Sequence, residues 1–208
     1  MIVCDTDSFI FIHIPKNSGT SMSKILQELF EKTELLIWGD PKTGVDKMHL
    51  CQEVMPKYIT KDKIKNYFKF CIIRDPYEKL YSAWQYLRNR FPYKNINDFV
   101  KKELTTEFIY KHGREHFKPQ YTFIYDHNLE KNVNFIIRYE YLNEDIHELN
   151  TKYGPKSKTP KLSKNITLYG NKYKHSKYTQ YYNKESILKI NKLYYKDFEL
   201  LPYKKKLM

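Results

Sequence analysis

Residues 8–14 (SFIFIHI) run directly into Pro15-Lys16-Asn17-Ser18-Gly19, and an amphipathic pattern follows at once. A short, nearly continuous apolar run rich in Ile and Phe suits a strand buried on both faces of a parallel sheet. After the loop, Met22, Ile25, Leu26, Leu29 and Phe30 recur at helical spacing, which predicts a helix over about 20–32. A buried strand turning tightly into a helix requires neighbouring strands and covering helices. It also creates an anion site, because free backbone N–H groups and the positive end of the helix dipole point the same way. Gly19 lets the backbone approach closely, Thr20 and Ser21 supply hydroxyl donors, and Lys16 supplies a mobile charge. The alternative is an ordinary connecting loop with polar surface residues.

The remaining chain continues the alternation. Residues 67–73 (YFKFCII) predict a second strand, and Arg74-Asp75-Pro76 end it and open a helix. Asp75 suits the N-cap, Pro76 the first turn, and Glu78 completes a capping-box pattern. A short strand is expected at 35–38, before a turn-rich stretch to Gly44, and shorter helices at 95–103 and 105–113. Residues 133–139 predict another strand, followed by a helix at 143–149, and 184–200 return to helical spacing. Between them, 152–183 are polar, basic and rich in Tyr, and read as a long loop or flap. The order predicts an α/β fold: one domain over 1–208, with a P-loop-like core and a mainly parallel sheet flanked by helices.

Composition narrows the partners. The chain has 208 residues, 41% hydrophobic and 16% aromatic, enough for a real core, and a formal net charge of +13. Such a field attracts nucleotides, acidic polysaccharides or nucleic acid, and charge alone does not choose among them. Cys4, Cys51 and Cys71 lack metal-ligand spacing, so no metal is expected and a reducing compartment is. The apolar run at 9–14 is too short for a signal peptide or an integral membrane segment. A soluble, cytoplasmic protein is expected, compatible with a bacterial or viral origin.

The loop is not that of a nucleoside triphosphatase. G-x-x-x-x-G-K-S/T needs a Gly to open the loop and a Lys beside the helix hydroxyl, whereas Lys16 lies three residues before Gly19. Instead, His13-Ile14-Pro15-Lys16-Asn17-Ser18-Gly19-Thr20-Ser21 resembles the 5′-phosphosulfate loop of the sulfotransferases. It is closest to the H-x-P-K-x-x-G-T-S form of the carbohydrate (Golgi-type) branch. Residues 71–84 (CIIRDPYEKLYSAW) resemble that family's 3′-phosphate motif, with Arg and Ser eight residues apart. Looser similarity continues at His116-Phe117-Lys118-Pro119-Gln120, at Arg138-Tyr139-Glu140, and at Asp197-Phe198.

The resemblance implies a donor, 3′-phosphoadenosine 5′-phosphosulfate (PAPS), leaving as 3′-phosphoadenosine 5′-phosphate, and an acceptor hydroxyl on a glycan. It assigns Pro15, Lys16, Asn17, Ser18, Gly19, Thr20 and Ser21 to the 5′ end of the nucleotide. Arg74 and Ser82 fall to the 3′-phosphate. Lys16 stabilises charge on the leaving oxygen, and His49 is the candidate general base. Glu53 and His116 are rivals for that base, and Gln120 joins them as an acceptor-side candidate. Taken singly, Arg74 also reads as a surface ion pair with Glu78, and His49 as a capping or surface histidine. The basic flap, with Lys172, Lys174, His175 and Lys177 amid Tyr173 and Tyr178, suits closure over the nucleotide, an anionic glycan, or plain solvation. Two other readings stand: sulfation of a small alcohol, phenol or lipid, and a basic Tyr-rich nucleic-acid surface. The last leaves the loop and the Arg74/Ser82 pair unexplained, so no nucleic-acid partner is expected.

Overall fold

The apolar run is a strand over Phe9–Ile12, with all four residues buried. The computed structural model describes residues 1–30, 33–35, 47–111, 113–153 and 178–207. In chain order they form β1 (Ile2–Cys4), β2 (Phe9–Ile12), α1 (Gly19–Leu29), β3 (Thr33–Leu35), α2 (Lys61–Asn66) and β4 (Phe68–Ile73). Next come α3 (Pro76–Leu87), α4 (Ile96–Lys102), α5 (Thr106–Tyr110), β5 (Phe135–Arg138), α6 (Leu142–Tyr153), α7 (Lys184–Leu193) and α8 (Tyr195–Leu200). The chain divides into two compact units, Met1–Ile73 with Thr122–Lys172, and Arg74–Tyr121 with Tyr173–Met208.

The first unit holds the sheet, in the order β3-β1-β2-β4-β5. β2 pairs parallel with β4, and β4 with β5, in the register Ile12↔Cys71 and Ile73↔Arg138. β1 is antiparallel to both β2 and β3, so β3 points the same way as β2, β4 and β5. The sheet is therefore mainly parallel, with β1 as the reversed strand. One of its faces presents Ile2, Cys4, Phe9, Phe11, Phe70, Ile72, Phe135 and Ile137 to Met22 and Leu26 of α1 and to Ile146 and Leu149 of α6. That is the period-2 alternation of strands meeting the 3.6-residue repeat of helices. Ile10, Ile12, Cys71 and Ile73 are buried too, and so is Lys69, whose Nζ donates to Ile64 O at 2.6 Å, so the central strands are enclosed on both faces, as parallel strands covered on both sides are. Cys71 lies wholly inside, where burial pushes its thiol up to about 12, and it is inert.

The second unit is helical. Tyr77, Leu80 and Trp84 of α3, Phe99 of α4, Phe108 of α5 and Ile187 and Ile190 of α7 form its core, with Phe117 among them. Phe99 lies 5.3 Å from Phe117 and 5.6 Å from Phe108, ring centre to ring centre, in tilted and edge-on contacts. Side-chain caps fix where the helices begin. Asp75 accepts from Tyr77 N at 2.9 Å and from Glu78 N at 3.2 Å, and Asn95, Thr105 and Asn183 cap α4, α5 and α7.

Several boundaries differ from expectation for identifiable reasons. α1 ends at Leu29 because Phe30 turns extended and sets its ring edge-on to Phe9 at 5.1 Å. Helix 184–200 is split at Tyr194, whose hydroxyl donates to Phe117 O at 2.7 Å. Of the strand expected at 35–38, Leu35 closes β3, and 36–38 and the turn-rich 39–46 lie outside the described residues. Of the expected flap, 152–153 finish α6 and Tyr178–Tyr181 form a 3-10 turn. Lys172, Tyr173, Lys174, His175 and Lys177 lie outside the described residues. Among the described residues, no helix is long and apolar enough to cross a membrane.

Candidate functional site

β2 and β4 are parallel neighbours, so the loop after β2 leaves the sheet at the edge where β4 ends, the edge at which open α/β sheets bind ligands. Lys16 (φ 68°) and Ser18 (φ 60°) both adopt the left-handed conformation that non-glycine residues disfavour. Asn17, fully buried between them, donates from Nδ2 to Ile72 O of β4 at 2.9 Å. Its side chain is committed to that tether, so any part Asn17 plays in ligand binding falls to its backbone. Pro15 is buried, Lys16 and Ser18 are half-buried, Thr20 is exposed and Ser21 is buried.

The start of α1 differs from that of the other helices. Ser18 is its N-cap but makes no side-chain capping bond, and no acidic residue stands in its first turn. Every other described α-helix carries an acid there: Asp62, Glu78, Asp98, Glu107, Glu144 with Asp145, Glu185 and Asp197. Among the described α-helices, α1 is thus the one without an acid in its own first turn, and Lys16 precedes it.

Gly19 has a reason the sequence did not reveal. A Cβ there would lie 1.9 Å from Cδ2 and 2.1 Å from Nε2 of His13. The imidazole fills the space, so Gly19 serves the packing of His13. His13 also links the loop to His49. The His49 ring stands edge-on to that of His13 at 4.6 Å, and His49 Nδ1 is 3.0 Å from His13 O. A carbonyl only accepts, so Nδ1 carries the hydrogen and the neutral ring has its lone pair at Nε2. His49 is buried, at the end of the 3-10 turn Lys47–His49, which the amino terminus secures by donating to Met48 O at 2.7 Å. It is not a surface histidine. Glu53 is exposed in a separate turn and does not follow His49 on a helix.

The other candidates belong to the second unit. Arg74 follows β4 immediately, and its Nε and Nη2 donate to Glu78 Oε2 at 3.3 and 3.2 Å. The ion pair read from the sequence is present, but it is largely buried rather than on the surface. Ser82 is half-buried on α3. His116 stacks on Tyr86 at 5.3 Å. Gln120, expected on the acceptor side, is wholly buried with its amide bonded to the backbone of Arg74. Lys79 escaped the sequence reading, and Asp197 entered it only as part of a loose similarity. Lys79 is buried and donates to His116 O at 3.0 Å and Lys118 O at 2.9 Å. Asp197 is fully buried and accepts from Gln120 N at 3.0 Å and Tyr121 N at 2.8 Å. Burial lifts its carboxyl to about 6 against the lowering effect of those N–H groups. A buried acid so near the chain end carries no periodic signal.

Residues 1–204 match the sulfotransferase family. Carbohydrate sulfotransferase 10 of Danio rerio is 26% identical over 125 residues, 56% of this chain and 32% of that protein. The protein of the same name from Rattus norvegicus is 29% identical over 92 residues, 41% of this chain and 25% of its own length. That from Homo sapiens is 25% identical over 122 residues, 55% and 32% respectively. The chain thus spans about a third or less of these relatives. No solved structure matches.

Two outcomes follow from these contacts. Gly19→Ala should destabilise the fold by about 1–3 kcal/mol through overpacking, and by clearly less when His13→Ala has removed the ring. Equal costs in both backgrounds, by urea titration, would refute the packing role. Asp197 holds a proton in the folded state that the unfolded chain has already released. Its contribution to stability should therefore fall as pH rises from 3.8 to about 6, then level off. The full fall is on the order of 3 kcal/mol. Denaturant midpoints across that range should slope differently for wild type and Asp197→Asn, and identical slopes would reject the assignment.

Proposed function

The chain belongs to the sulfotransferase family, and on that footing we propose that it moves the sulfuryl group of PAPS to a carbohydrate hydroxyl. The observation that carries this reading is the start of α1: a helix terminus without an acid in its first turn or a side-chain cap, preceded by Lys16. An anion is what such a terminus lacks. The N–H groups there, with the Thr20 and Ser21 hydroxyls, would take the 5′ end of the donor. Arg74 and Ser82 would take the 3′-phosphate. A guanidinium has five N–H donors, so the pair with Glu78 does not preclude a phosphate.

The step is an in-line displacement. A bond forms between the acceptor oxygen and sulfur while the bond from sulfur to the bridging oxygen of the 5′-phosphate breaks. The acceptor proton passes to His49 Nε2, the lone-pair position set by the bond at Nδ1. Lys16 neutralises the charge left on the phosphate, worth about 3–4 kcal/mol in a dry site. The products are the sulfated acceptor and 3′-phosphoadenosine 5′-phosphate, and the step needs no metal. A carbohydrate acceptor is supported by the names of the relatives and by the H-x-P-K-x-x-G-T-S form of residues 13–21.

The wild type should gain thermal stability with 3′-phosphoadenosine 5′-phosphate and not with ATP plus magnesium. Transfer of radiolabelled sulfate from the donor to a glycan panel should fall by roughly two to three orders of magnitude in Lys16→Ala with the fold intact. His49→Ala should lose turnover and keep nucleotide affinity. A wild type indifferent to the bisphosphate, or a fully active Lys16→Ala, would sink the reading.

A further inference from the structure

Arg74 is one residue past the end of β4, where the sheet ladder no longer fixes the backbone. Gln120 takes over that task. Its Oε1 accepts from Arg74 N at 2.9 Å, and its Nε2 donates to Arg74 O at 2.7 Å. One side-chain amide thus pairs with both backbone groups of a single residue, as an adjacent strand would. Gln120 is itself fixed, because its own N–H is held at 3.0 Å by Asp197 Oδ2 from α8, 77 residues further along. Asp197 Oδ1 holds Tyr121 N at 2.8 Å in the same way. Gln120 and Asp197 are both 0% exposed, so this polar chain is wholly enclosed. On the other side of Arg74, Asp75 caps α3 and fixes the next peptide.

Fully satisfied buried networks of this kind are costly to assemble and restrict geometry rather than merely add stability. Here two bonds end on the main chain of the arginine whose side chain the proposed function assigns to the 3′-phosphate, and the bonds to Asp197 hold Gln120 and Tyr121 behind it. We infer that Gln120, held by Asp197, is a positioning residue that aims Arg74 at the donor's 3′-phosphate, and that it sets the preference for 3′-phosphorylated nucleotides. It acts through the Arg74 backbone and touches neither donor nor acceptor. The inference rests on the donor reading above.

The test is calorimetric titration of the full chain with 3′-phosphoadenosine 5′-phosphate and with adenosine 5′-monophosphate. The ratio of the two affinities reads the 3′-phosphate contact alone. Gln120→Ala should reduce that ratio by about tenfold or more while leaving the monophosphate affinity unchanged. In an Arg74→Ala background the same substitution should have no further effect on the ratio. Parallel loss of both nucleotides, or an undiminished ratio, would overturn the inference. If Gln120→Ala is not recovered folded, the isosteric Gln120→Glu replaces the bond to Arg74 O with oxygen–oxygen repulsion. Its loss of preference should vanish in the Arg74→Ala background, and a loss that persists there would mean direct repulsion of the phosphate and overturn the inference. A wild type with no preference for the bisphosphate would instead refute the donor reading itself.

Discussion

The bond from Asn17 Nδ2 to Ile72 O is small in energy but decisive for geometry. It ties the loop after β2 to the end of β4 inside the core. The residues on both sides of Asn17 adopt left-handed backbone angles, each costing about 1–3 kcal/mol where nothing compensates. Such a conformation persists only when its surroundings determine it. The buried tether, the imidazole of His13 against Gly19 and the burial of Pro15 supply that determination together. The loop is rigid because its polar and apolar contacts agree.

Charge is then distributed around this frame rather than spread evenly. The chain is strongly basic, but the more informative pattern is where its acids stand. They occupy the first turn of each described α-helix except α1. In those helices the acids complement the positive end of the dipole. In α1 no acid stands in the first turn, and Lys16 precedes it.

The sequence made the strands β2, β4 and β5 legible because buried parallel strands are nearly continuous apolar runs. β1 was not, since three residues give no periodicity to read, although Met1-Ile2-Val3-Cys4 is apolar throughout. The cap at Asp75 was legible because capping is local, and it makes the two bonds expected of it. The break at Tyr194 was hidden by a tertiary hydrogen bond to Phe117 that overrides helical spacing. Around the site, Lys16, Gly19 and Arg74 stood out by type and spacing. The reason for Gly19 and the tether of Asn17 needed the third dimension. The Asp197–Gln120–Arg74 chain joins residues 77 and 46 positions apart, which no spacing rule detects.

The bare start of α1 has an evolutionary consequence. Replacing Thr20 with an acid complements the positive end of the helix internally and makes the helix more stable. On the donor reading proposed above, such a carboxylate imitates the nucleotide's phosphate and takes its place. Selection for heat resistance alone would therefore drive this segment toward self-sufficiency and against that reaction.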